Sequence, residues 1–585
     1  MPVITPALPC SDRDRRQRIG ILLTVLLVSG TLFFFRLGTP GLFDADEPAY
    51  AQAAREMLEA GDWITPHFNG LPRFDKPILY YWLITLSYRV FGVTEFAARF
   101  WSALAAVALV LLIVWGARRW FGAPADLWAG LALTTNLLTA LLARAAVTDM
   151  LLTLFVTLAI LAGLEALRES TVEAGWATIA WMAMGLAVLV KGPVGLVIPG
   201  VALGGSLYFF RELRGLSRLF RWQGLLLFAA IALPWYVLVL AANGWAFVEG
   251  FVIKHHVSRF TGVISSHAGP LWFYLPVALV GFFPWSGFLP RALWQAGTVA
   301  RRRHAREPGD RLLVVCACWA GGVFVFFSLA GTKLPSYLFP AFPALALLIA
   351  GAGGTGGDSA LSFGDESRHV PSWLRRLGPW LLGVTGGALA LGFGLVPRIL
   401  EALRPLAGGS LDGASIPVGL AVWLAGLMAV GTAGSLLMRG PRRVALLAMM
   451  MSLLIFTAEG VVAPLAYSIL QGPLRELAED AHQILGGQGT LVVYGLNAPS
   501  IVFYAKHWVI PLGPGSQDSL DRVRRLVEAG RPLVVITRIV HAPGLDAVRG
   551  LSRVKARGGY ALFSTLRRSA ALRVMSPRSL RGCSV

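Results

Sequence analysis

Long apolar segments are the feature that most constrains how this chain can fold. A helix needs about 20 mostly apolar residues to cross the hydrocarbon core of a bilayer. Thirteen segments meet or approach that length, and short polar turns separate them. They are residues 18–38, 95–117, 124–142, 147–167, 175–190, 193–210, 223–241, 271–290, 312–330, 336–352, 378–397, 414–437 and 442–463. The sequence therefore predicts a polytopic α-helical membrane protein with about 13 transmembrane helices.

The composition agrees with this class and excludes several others. Of the 585 residues, 56% are hydrophobic and 14% are charged, whereas about 25% of the residues in soluble domains are charged. A soluble enzyme, a disordered chain and a secreted disulfide scaffold are excluded, and the four cysteines show no metal-site spacing. The net charge of +20 comes from basic residues between apolar segments, so we expect no nucleic-acid partner.

Arginines predict which side of the bundle faces the cytoplasm. If the N-terminus is cytoplasmic, every even-numbered turn between the segments carries arginine, as the positive-inside rule requires. Thirteen spans then place the C-terminus outside. We predict a membrane domain over residues 1–464, with large outer loops at 39–94 and 242–270. A small outer α/β domain follows over 465–585, because short strand patterns flank an amphipathic helix there.

The rare lysines and two carboxylates gather on the predicted outer side. The chain has six lysines against 46 arginines. Four of the six lie on that side: Lys76, Lys191, Lys254 and Lys333. Asp46 and Asp149 lie beside apolar sequence at the same boundary, where charges are costly and tend to be functional. Carboxylates can act as a general base or hold a metal, and the lysines with Arg259 can hold a phosphate. A phosphate at membrane depth with an apolar tail describes a polyprenyl phosphate.

The sequence around these charges resembles a known family. The segments that carry the resemblance are FDADEPAYAQAAREMLEAGDWITPHFNGLPRFDKPILYYWL at 43–83, TDM at 148–150, KGPVGLVIPG at 191–200, HHVSRF at 255–260, HAGPLWFYLP at 267–276, and FFSLAGTKLPSYLFPAFPALALL at 326–348, which contains the motif KLPSY. They are similar to the bacterial lipid A 4-amino-4-deoxy-L-arabinose transferases of the GT-C superfamily, to which the protein O-mannosyltransferases also belong. The resemblance covers residues 18–350. It implies a GT-C fold and a membrane glycosyltransferase that uses a polyprenyl-phosphate-linked sugar and no nucleotide.

By motif, the resemblance also implies roles for individual residues. Asp46 matches the catalytic carboxylate of the first loop, and Asp149 matches the second acid. The groups expected around the lipid phosphate are Lys76, Lys191 and Tyr337, with Lys333 in the same motif and Arg259 added by its charge. Asp75 and His256 correspond to a position for a divalent metal, with zinc, magnesium or manganese as candidates. Glu47, Arg55 and His255 are the expected supporting residues.

One position departs from the family. The arabinose enzymes read DETRYAE in the first loop, with an arginine three residues after the first acid, whereas this chain has Ala49. Arg55 or Arg259 would have to supply the missing cation. The resulting expectation is inverting sugar transfer at the periplasmic face of the bacterial inner membrane, with lipid A or another envelope glycolipid as the acceptor.

Three other functions stay open at this point. Transfer to protein Ser/Thr, as in the O-mannosyltransferases, would use the same kind of donor. A polyprenyl-lipid transporter or flippase also needs polar groups at membrane depth, but transporters often show inverted repeats, and the sequence shows no repeat. A structural assembly subunit would work through its C-terminal domain, and deletion of residues 465–585 would distinguish that case.

Overall fold

The chain folds into a bundle of apolar helices followed by a small unit built around a sheet. The computed structural model describes residues 12–168, 173–262, 268–305, 307–352, 371–406, 415–514 and 517–566. The first helices and strands are α1 (Asp12–Phe34), α2 (Asp46–Ala60), β1 (His67–Phe68), β2 (Leu71–Pro72), α3 (Leu79–Phe91), α4 (Glu95–Phe121), α5 (Ala125–Thr134), α6 (Leu137–Ala143), α7 (Asp149–Ala166), α8 (Glu173–Lys191), α9 (Val194–Phe209), α10 (Leu216–Leu219) and α11 (Trp222–Asn243). β1 and β2 pair as a small antiparallel hairpin between α2 and α3.

The second half of the bundle contains two π-helical stretches, Val248–Ser258 and Ala458–Val462. Its α-helices are α12 (Trp245–Phe247), α13 (Arg259–Thr261), α14 (Tyr274–Gly281), α15 (Leu289–Arg302), α16 (Pro308–Leu329), α17 (Phe342–Gly351), α18 (Ser372–Leu403), α19 (Val418–Leu437), α20 (Gly440–Thr457) and α21 (Ala463–Leu470). The second predicted outer loop, 242–270, is therefore largely helical over its described residues, which end at 262 and resume at 268.

Eight helices in the part of the chain that the structure describes are long and apolar enough to cross a bilayer. Two further pairs, α5 with α6 and Leu271–Gly281 with Trp285–Arg302, bend by 65° and 110°, and the number is ten if each pair is one span. Gly175–Lys191, Val194–Phe209 and Pro335–Gly351 are shorter apolar helices. Each of the thirteen predicted segments coincides with one of these helices or pairs. The polytopic helical fold is confirmed, and the number of spans stays a prediction.

The bend between α5 and α6 has a local cause in Asn136. Its Oδ1 accepts a hydrogen bond of 2.9 Å from the backbone N–H of Thr139 and so caps the start of α6. Its Nδ2 donates to the carbonyls of Ala132 and Leu133, at 2.9 and 2.8 Å, and so closes the end of α5. One buried asparagine therefore satisfies the backbone groups at both helix ends that the bend exposes.

Helices α7, α8, α9 and α16 run between two ends of the bundle. α7 has 18 residues, which corresponds to about 27 Å and is close to the thickness of the hydrocarbon core of a bilayer, about 30 Å. We call the end that contains Asp149 and Lys191 the site face. The opposite end, where α7 ends at Ala166 and α9 ends at Phe209, is the arginine face.

The C-terminal unit is a five-stranded mixed sheet with helices. Its elements are α22 (Gly472–Leu485), β3 (Thr490–Tyr494), α23 (Pro499–Ala505), β4 (Val509–Leu512), α24 (Gln517–Glu528), β5 (Leu533–Arg538), α25 (Ala542–Asp546), β6 (Ser552–Arg557) and β7 (Tyr560–Ser564). The strand order is β4-β3-β5-β7-β6; β3 is parallel to β4 and β5, and the other pairs are antiparallel. β3, α24 and β5 correspond to the two strands and the helix that the sequence predicts, so the α/β class is confirmed. The structure adds strands β4, β6 and β7. α21 continues to Leu470, so this unit begins at Gly472.

The C-terminal unit lies against the first large loop of the membrane domain, 39–94. The Asn69 amide forms two hydrogen bonds with the backbone of Val509, one to the carbonyl at 2.7 Å and one from the N–H at 2.8 Å. The backbone N–H of Ser500 donates to Asp44 Oδ1 at 2.8 Å. The loop and the C-terminal unit therefore lie on the same face of the molecule. The predicted odd number of spans places both of them on the side opposite the N-terminus.

Candidate active site

Two adjacent acids begin helix α2, and their surroundings differ. The side chain of Asp46 is exposed, whereas Glu47 is 6% exposed. The Glu47 carboxylate accepts hydrogen bonds from Arg99 Nε and Nη2 at 2.8 and 2.7 Å and from the backbone N–H groups of Phe43 and Ala146 at 2.9 and 2.7 Å. Burial alone would raise the pKa of Glu47, but the positive charge of Arg99 holds it below its usual value. Glu47 is thus a buried anchor, and Asp46 is the carboxylate that a substrate can reach.

The second predicted acid, Asp149, lies three residues after Ala146, which Glu47 binds. Glu47 therefore connects the segments that carry Asp46 and Asp149. Asp149 is 6% exposed, and its Oδ1 lies 2.7 Å from Lys191 Nζ. Both acids are the first residue of a helix, where the helix dipole stabilises negative charge.

The sequence KGP explains why Lys191 lies where it does. Lys191 is the last residue of α8, and Gly192 then adopts a φ of 78°, a left-handed conformation that ends helices. A Cβ at residue 192 would approach His256 Nε2 to 2.8 Å, so the position also needs glycine for space. Pro193 precedes the first residue of α9 and does not need a backbone N–H there. The ammonium group is held at the junction of two helices.

Three cations line one cavity of about 460 Å³ on the site face: Lys76, Lys191 and Arg259. Burial and then the charges of Lys191 and Arg259 lower the pKa of Lys76 to about 7, while Asp75 and Asp46 act in the opposite direction. Arg259 Nη1 donates to the Tyr337 hydroxyl at 3.2 Å, and Lys191 Nζ lies 5.1 Å from the centre of the same ring. The structure thus brings together four of the five groups predicted around a lipid phosphate.

One buried donor in this cavity, Arg259 Nε, has no hydrogen-bond partner among the described residues. A buried guanidinium N–H is normally paired in folded proteins, so an unpaired one beside surplus positive charge fits an anionic ligand. The rest of the lining is largely apolar and includes Pro193, Val194, Val197, Val257, Phe260, Phe326 and Phe327. The cavity can hold an anionic group together with part of an apolar chain.

Backbone hydrogen bonds between two distant segments position Arg259 beside the Tyr337 hydroxyl. The backbone N–H of Gly331 donates to the carbonyl of Phe260 at 2.8 Å, and that of Thr332 donates to the carbonyl of Arg259 at 3.3 Å. These bonds join the two predicted motifs HHVSRF and KLPSY, which are more than seventy residues apart in the chain. The π-helix that precedes Arg259 is a form of helix that is frequent at functional sites.

The structure places His255, rather than the predicted His256, beside Asp75. His255 Nε2 lies 2.8 Å from Asp75 Oδ1, and Arg73 Nη2 lies 2.7 Å from Asp75 Oδ2. His256 instead directs Nδ1 at the Phe251 carbonyl, 2.7 Å away. Burial would raise the pKa of Asp75, but the His255 hydrogen bond and the Arg73 charge hold it well below its usual value.

These residues do not fit a metal site as they are arranged. One oxygen of Asp75 is paired with a guanidinium group, which would repel a cation. The described residues contain no group of three or more His, Cys, Asp or Glu side chains arranged to bind a metal ion. The divalent metal therefore stays a prediction, and His255 replaces His256 as the histidine in contact with Asp75.

Lys333 begins the KLPSY motif that contains Tyr337, but it does not line the cavity. The residue is 6% exposed, and its ammonium group donates to the carbonyls of Ser328 and Ala330 at 2.9 and 2.7 Å. Those carbonyls are at the C-terminal end of α16, where helices leave acceptors unsatisfied. Lys333 thus caps a helix end, a role that its place in the motif did not indicate.

Arg55 also lies elsewhere than at the lipid-phosphate cavity. Its Nε pairs with Glu59 at 2.8 Å, and its Nη1 reaches the carbonyl of Phe503 in the C-terminal unit at 3.5 Å. Of the two arginines expected to compensate for Ala49, Arg259 is the one that lines the cavity.

The sequence reasoning missed a layer of buried arginines behind the site. Arg99 binds Glu47, and Arg144 Nε lies 2.7 Å from Glu459 Oε2 in the last membrane helix. Arg73 binds Asp75 and donates to the Tyr81 hydroxyl at 3.3 Å. Arg99 and Arg144 each lie inside apolar sequence near the predicted outer boundary, the same signal that indicates Asp46 and Asp149.

Comparison with known proteins identifies a family and individual relatives that this chain resembles. The family described as dolichyl-phosphate-mannose-protein mannosyltransferase matches residues 75–238. The undecaprenyl phosphate-alpha-4-amino-4-deoxy-L-arabinose arabinosyl transferase of Edwardsiella ictaluri is 36% identical over 333 residues, which are 55% of this chain and 57% of that protein. The transferase of the same description from Pseudomonas aeruginosa PAO1 is 37% identical over 345 residues, 57% of this chain and 59% of that protein.

A solved structure matches over a greater length. The crystal structure of ArnT from Cupriavidus metallidurans bound to undecaprenyl phosphate has a TM-score of 0.73 and 26% sequence identity, and the match covers 94% of this chain and 98% of that chain. The chain thus spans less than three fifths of the length of the two curated relatives and nearly all of the solved structure. The predicted resemblance to the aminoarabinose transferases is confirmed, and the chain has the GT-C fold.

Proposed function

We propose that this chain is a membrane glycosyltransferase that moves a sugar from a polyprenyl phosphate to an envelope glycolipid. The observation that carries the proposal is the cavity in which Lys76, Lys191 and Arg259 meet an apolar wall, close to two carboxylates. The named relatives support 4-amino-4-deoxy-L-arabinose as the sugar, undecaprenyl phosphate as its carrier and lipid A as the acceptor. The arginine face is assigned to the cytoplasm by the positive-inside rule, so the cavity and the C-terminal unit are periplasmic.

The cations act on the leaving group. In the donor, C1 of the sugar is bonded to a phosphate oxygen, and that bond breaks with the electron pair left on the phosphate. Lys76, Lys191 and Arg259 stabilise the charge that develops there, in a cavity whose remaining lining is largely apolar. Asp149 holds the Lys191 ammonium at 2.7 Å and thereby fixes one of the three charges in place.

Asp46 acts on the acceptor. The acceptor oxygen attacks C1 from the side opposite the leaving phosphate, so the new glycosidic bond has inverted configuration at C1. The exposed carboxylate of Asp46 accepts the proton of an acceptor hydroxyl as a general base. An acceptor phosphate is already ionised, and Asp46 would then orient it. Glu47 keeps the start of α2 in place through its four hydrogen bonds.

Replacement of Asp46 tests the catalytic assignment. We expect Asp46→Asn to lower the rate of sugar transfer from a polyprenyl-phosphate donor to lipid A by about 10²- to 10⁴-fold, the usual contribution of a general base. Glu59→Gln is the matched control, because Glu59 is an exposed carboxylate on the same helix. Full activity of Asp46→Asn would exclude the role proposed for this residue.

The donor site and the acceptor are tested separately. Lys76→Ala should weaken binding of undecaprenyl phosphate, and unchanged affinity would contradict the phosphate site. Mass spectrometry of lipid A from cells with and without this protein should show an added aminoarabinose only when the protein is present. If lipid A is unchanged while another glycolipid or a protein gains a sugar, the acceptor is that molecule.

A further inference from the structure

A second and larger cavity, of about 1390 Å³, lies at the arginine face. The same helices that frame the first site, α7, α9 and α16, reach it with their other ends. Among the described residues, its charged lining consists of six arginines and two glutamates: Arg168, Arg211, Arg214, Arg218, Arg303 and Arg311, with Glu212 and Glu307. This lining carries a clear excess of positive charge.

Three of the six arginines are held by the walls of the cavity. Arg311 Nη2 lies 2.8 Å from Glu212 Oε2. Arg168 lies over the ring of Trp120 at 5.2 Å, and Arg218 donates to the carbonyl of Leu167 at 3.1 Å. These contacts give the cavity a defined shape.

The other three arginines have no ion-pair partner in the part of the chain that the structure describes. Arg211, Arg214 and Arg303 are exposed at the cavity. Arg211 and Arg303 follow helices α9 and α15 with φ values of 58° and 59°, a conformation that glycine or asparagine usually adopts at a helix end. Arginine at these positions is unfavourable for the backbone but adds a positive charge to the lining.

Large apolar side chains lie beside these charges. Tyr208, Phe209 and Leu213 line the cavity and are 68%, 45% and 50% exposed. Tyr208 and Phe209 end the apolar helix α9 and Leu213 follows it, so they lie where the hydrocarbon of a bilayer meets the headgroups, a level at which aromatic side chains are enriched. A ligand in this cavity would meet guanidinium groups and an apolar surface together.

We propose that this cavity binds the phosphate-bearing headgroup of an anionic membrane lipid. Guanidinium groups bind phosphate oxygens in pairs, and basic pockets between helices on the cytoplasmic side are suited to anionic headgroups. The positive-inside rule by itself accounts for exposed arginines in the first turns of helices, such as Arg376 in α18 and Arg442 in α20, but not for a concave site with an apolar rim. The assignment is independent of the sugar-transfer reaction.

Lipid binding to the full-length protein in detergent tests this site, measured by native mass spectrometry with cardiolipin, phosphatidylcholine and inorganic pyrophosphate as separate probes. We expect one tightly bound cardiolipin per chain and weak binding of phosphatidylcholine. The double variant Arg211→Gly and Arg303→Gly should bind cardiolipin at least about tenfold more weakly, because each lost guanidinium removes charge-assisted hydrogen bonds. Glycine suits both backbone positions, so this variant should keep its thermal stability.

The control removes the same number of charges elsewhere on the arginine face, as Arg376→Gln with Arg442→Gln, and should leave cardiolipin affinity within about twofold. Equal weakening in both double variants would mean that general surface charge attracts the lipid, and it would overturn the proposal. Binding of pyrophosphate without cardiolipin would show that the site takes a soluble phosphate compound and would overturn the lipid assignment. Absence of binding by every probe would also overturn it.

Discussion

The two ends of helices α7, α9 and α16 both carry clusters of positive charge, but the clusters are built differently. At the site face, Lys191 is paired with Asp149 at 2.7 Å, and Arg259 is bound to Tyr337 at 3.2 Å. At the arginine face, Arg211 and Arg303 are exposed and have no ion-pair partner in the described residues. Three of the six arginines in the cavity at the arginine face also have a partner, so the number of cations does not by itself indicate a reaction site. The clusters differ in burial, because Lys191 and Arg259 are half-buried whereas Arg211 and Arg303 are exposed.

This difference has energetic consequences that substitutions can measure. Removal of one partner from a buried ion pair leaves the other charge without compensation and is strongly destabilising. Removal of an exposed charge loses only a weak, salt-screened interaction. We therefore expect large effects at the site face and small effects at exposed positions elsewhere.

The largest effect on stability should follow from Glu47→Gln. The substitution leaves Arg99 buried without a counter-ion, and we expect the free energy of unfolding to fall by about 3–5 kcal/mol. Thermal unfolding of the purified protein in detergent would measure it. Glu59→Gln removes only an exposed pair and should change stability by less than about 1 kcal/mol. Similar shifts for the two variants would contradict the anchor role of Glu47.

The next largest effect should be on the rate of transfer in Lys191→Gln. In the proposed mechanism this variant removes a charge that stabilises the leaving phosphate, and it leaves Asp149 without its ion-pair partner, so we expect kcat to fall by about 10²- to 10³-fold. Arg376→Gln, an exposed cation on the arginine face, should keep kcat within about twofold. If Lys191→Gln lowered kcat no more than Arg376→Gln does, the cations of the two clusters would not differ in their effect on the reaction.

A smaller effect is expected from Tyr337→Phe, which keeps the ring but removes the hydroxyl that Arg259 binds. A hydrogen bond to a charged group contributes about 1.5–3 kcal/mol, so the KM for the donor should rise about tenfold or more. kcat should change less, because Lys191 still lies over the ring. A fall in kcat with an unchanged KM would show that Tyr337 acts on the reaction step and not on donor binding.

The smallest effect is expected from Arg55→Gln. Arg55 pairs with Glu59 on the surface of α2, so transfer should stay within about twofold of the unmodified protein. Arg259→Gln should instead raise the donor KM at least about tenfold, because it removes a charge from the cavity. If Arg55→Gln had the larger effect, Arg55 and not Arg259 would compensate for Ala49.

Much of the candidate site could be predicted from local sequence. Lys76, Lys191 and Tyr337 were found because they lie in motifs, and Arg259 because a cation on the outer side is unexpected. Lys333 also lies in a motif on the outer side, but it caps the end of α16. A lysine near a helix end can bind a phosphate or cap the helix, and the sequence does not distinguish these two roles. The choice between His255 and His256 could not be made either, because adjacent residues of a helix differ by about 100° in direction and only the packing of the loop decides which faces Asp75.

The sequence by itself determined that the chain is a bundle of apolar helices in a membrane, because hydropathy and charge act residue by residue along the chain. It also determined the α/β class of the C-terminal unit. The tertiary structure decided which charges meet. Glu47 and Ala146 are 99 residues apart, and Arg144 and Leu32 are 112 apart. Such contacts depend on how helices cross in three dimensions, and a linear pattern of charges carries no information on that crossing.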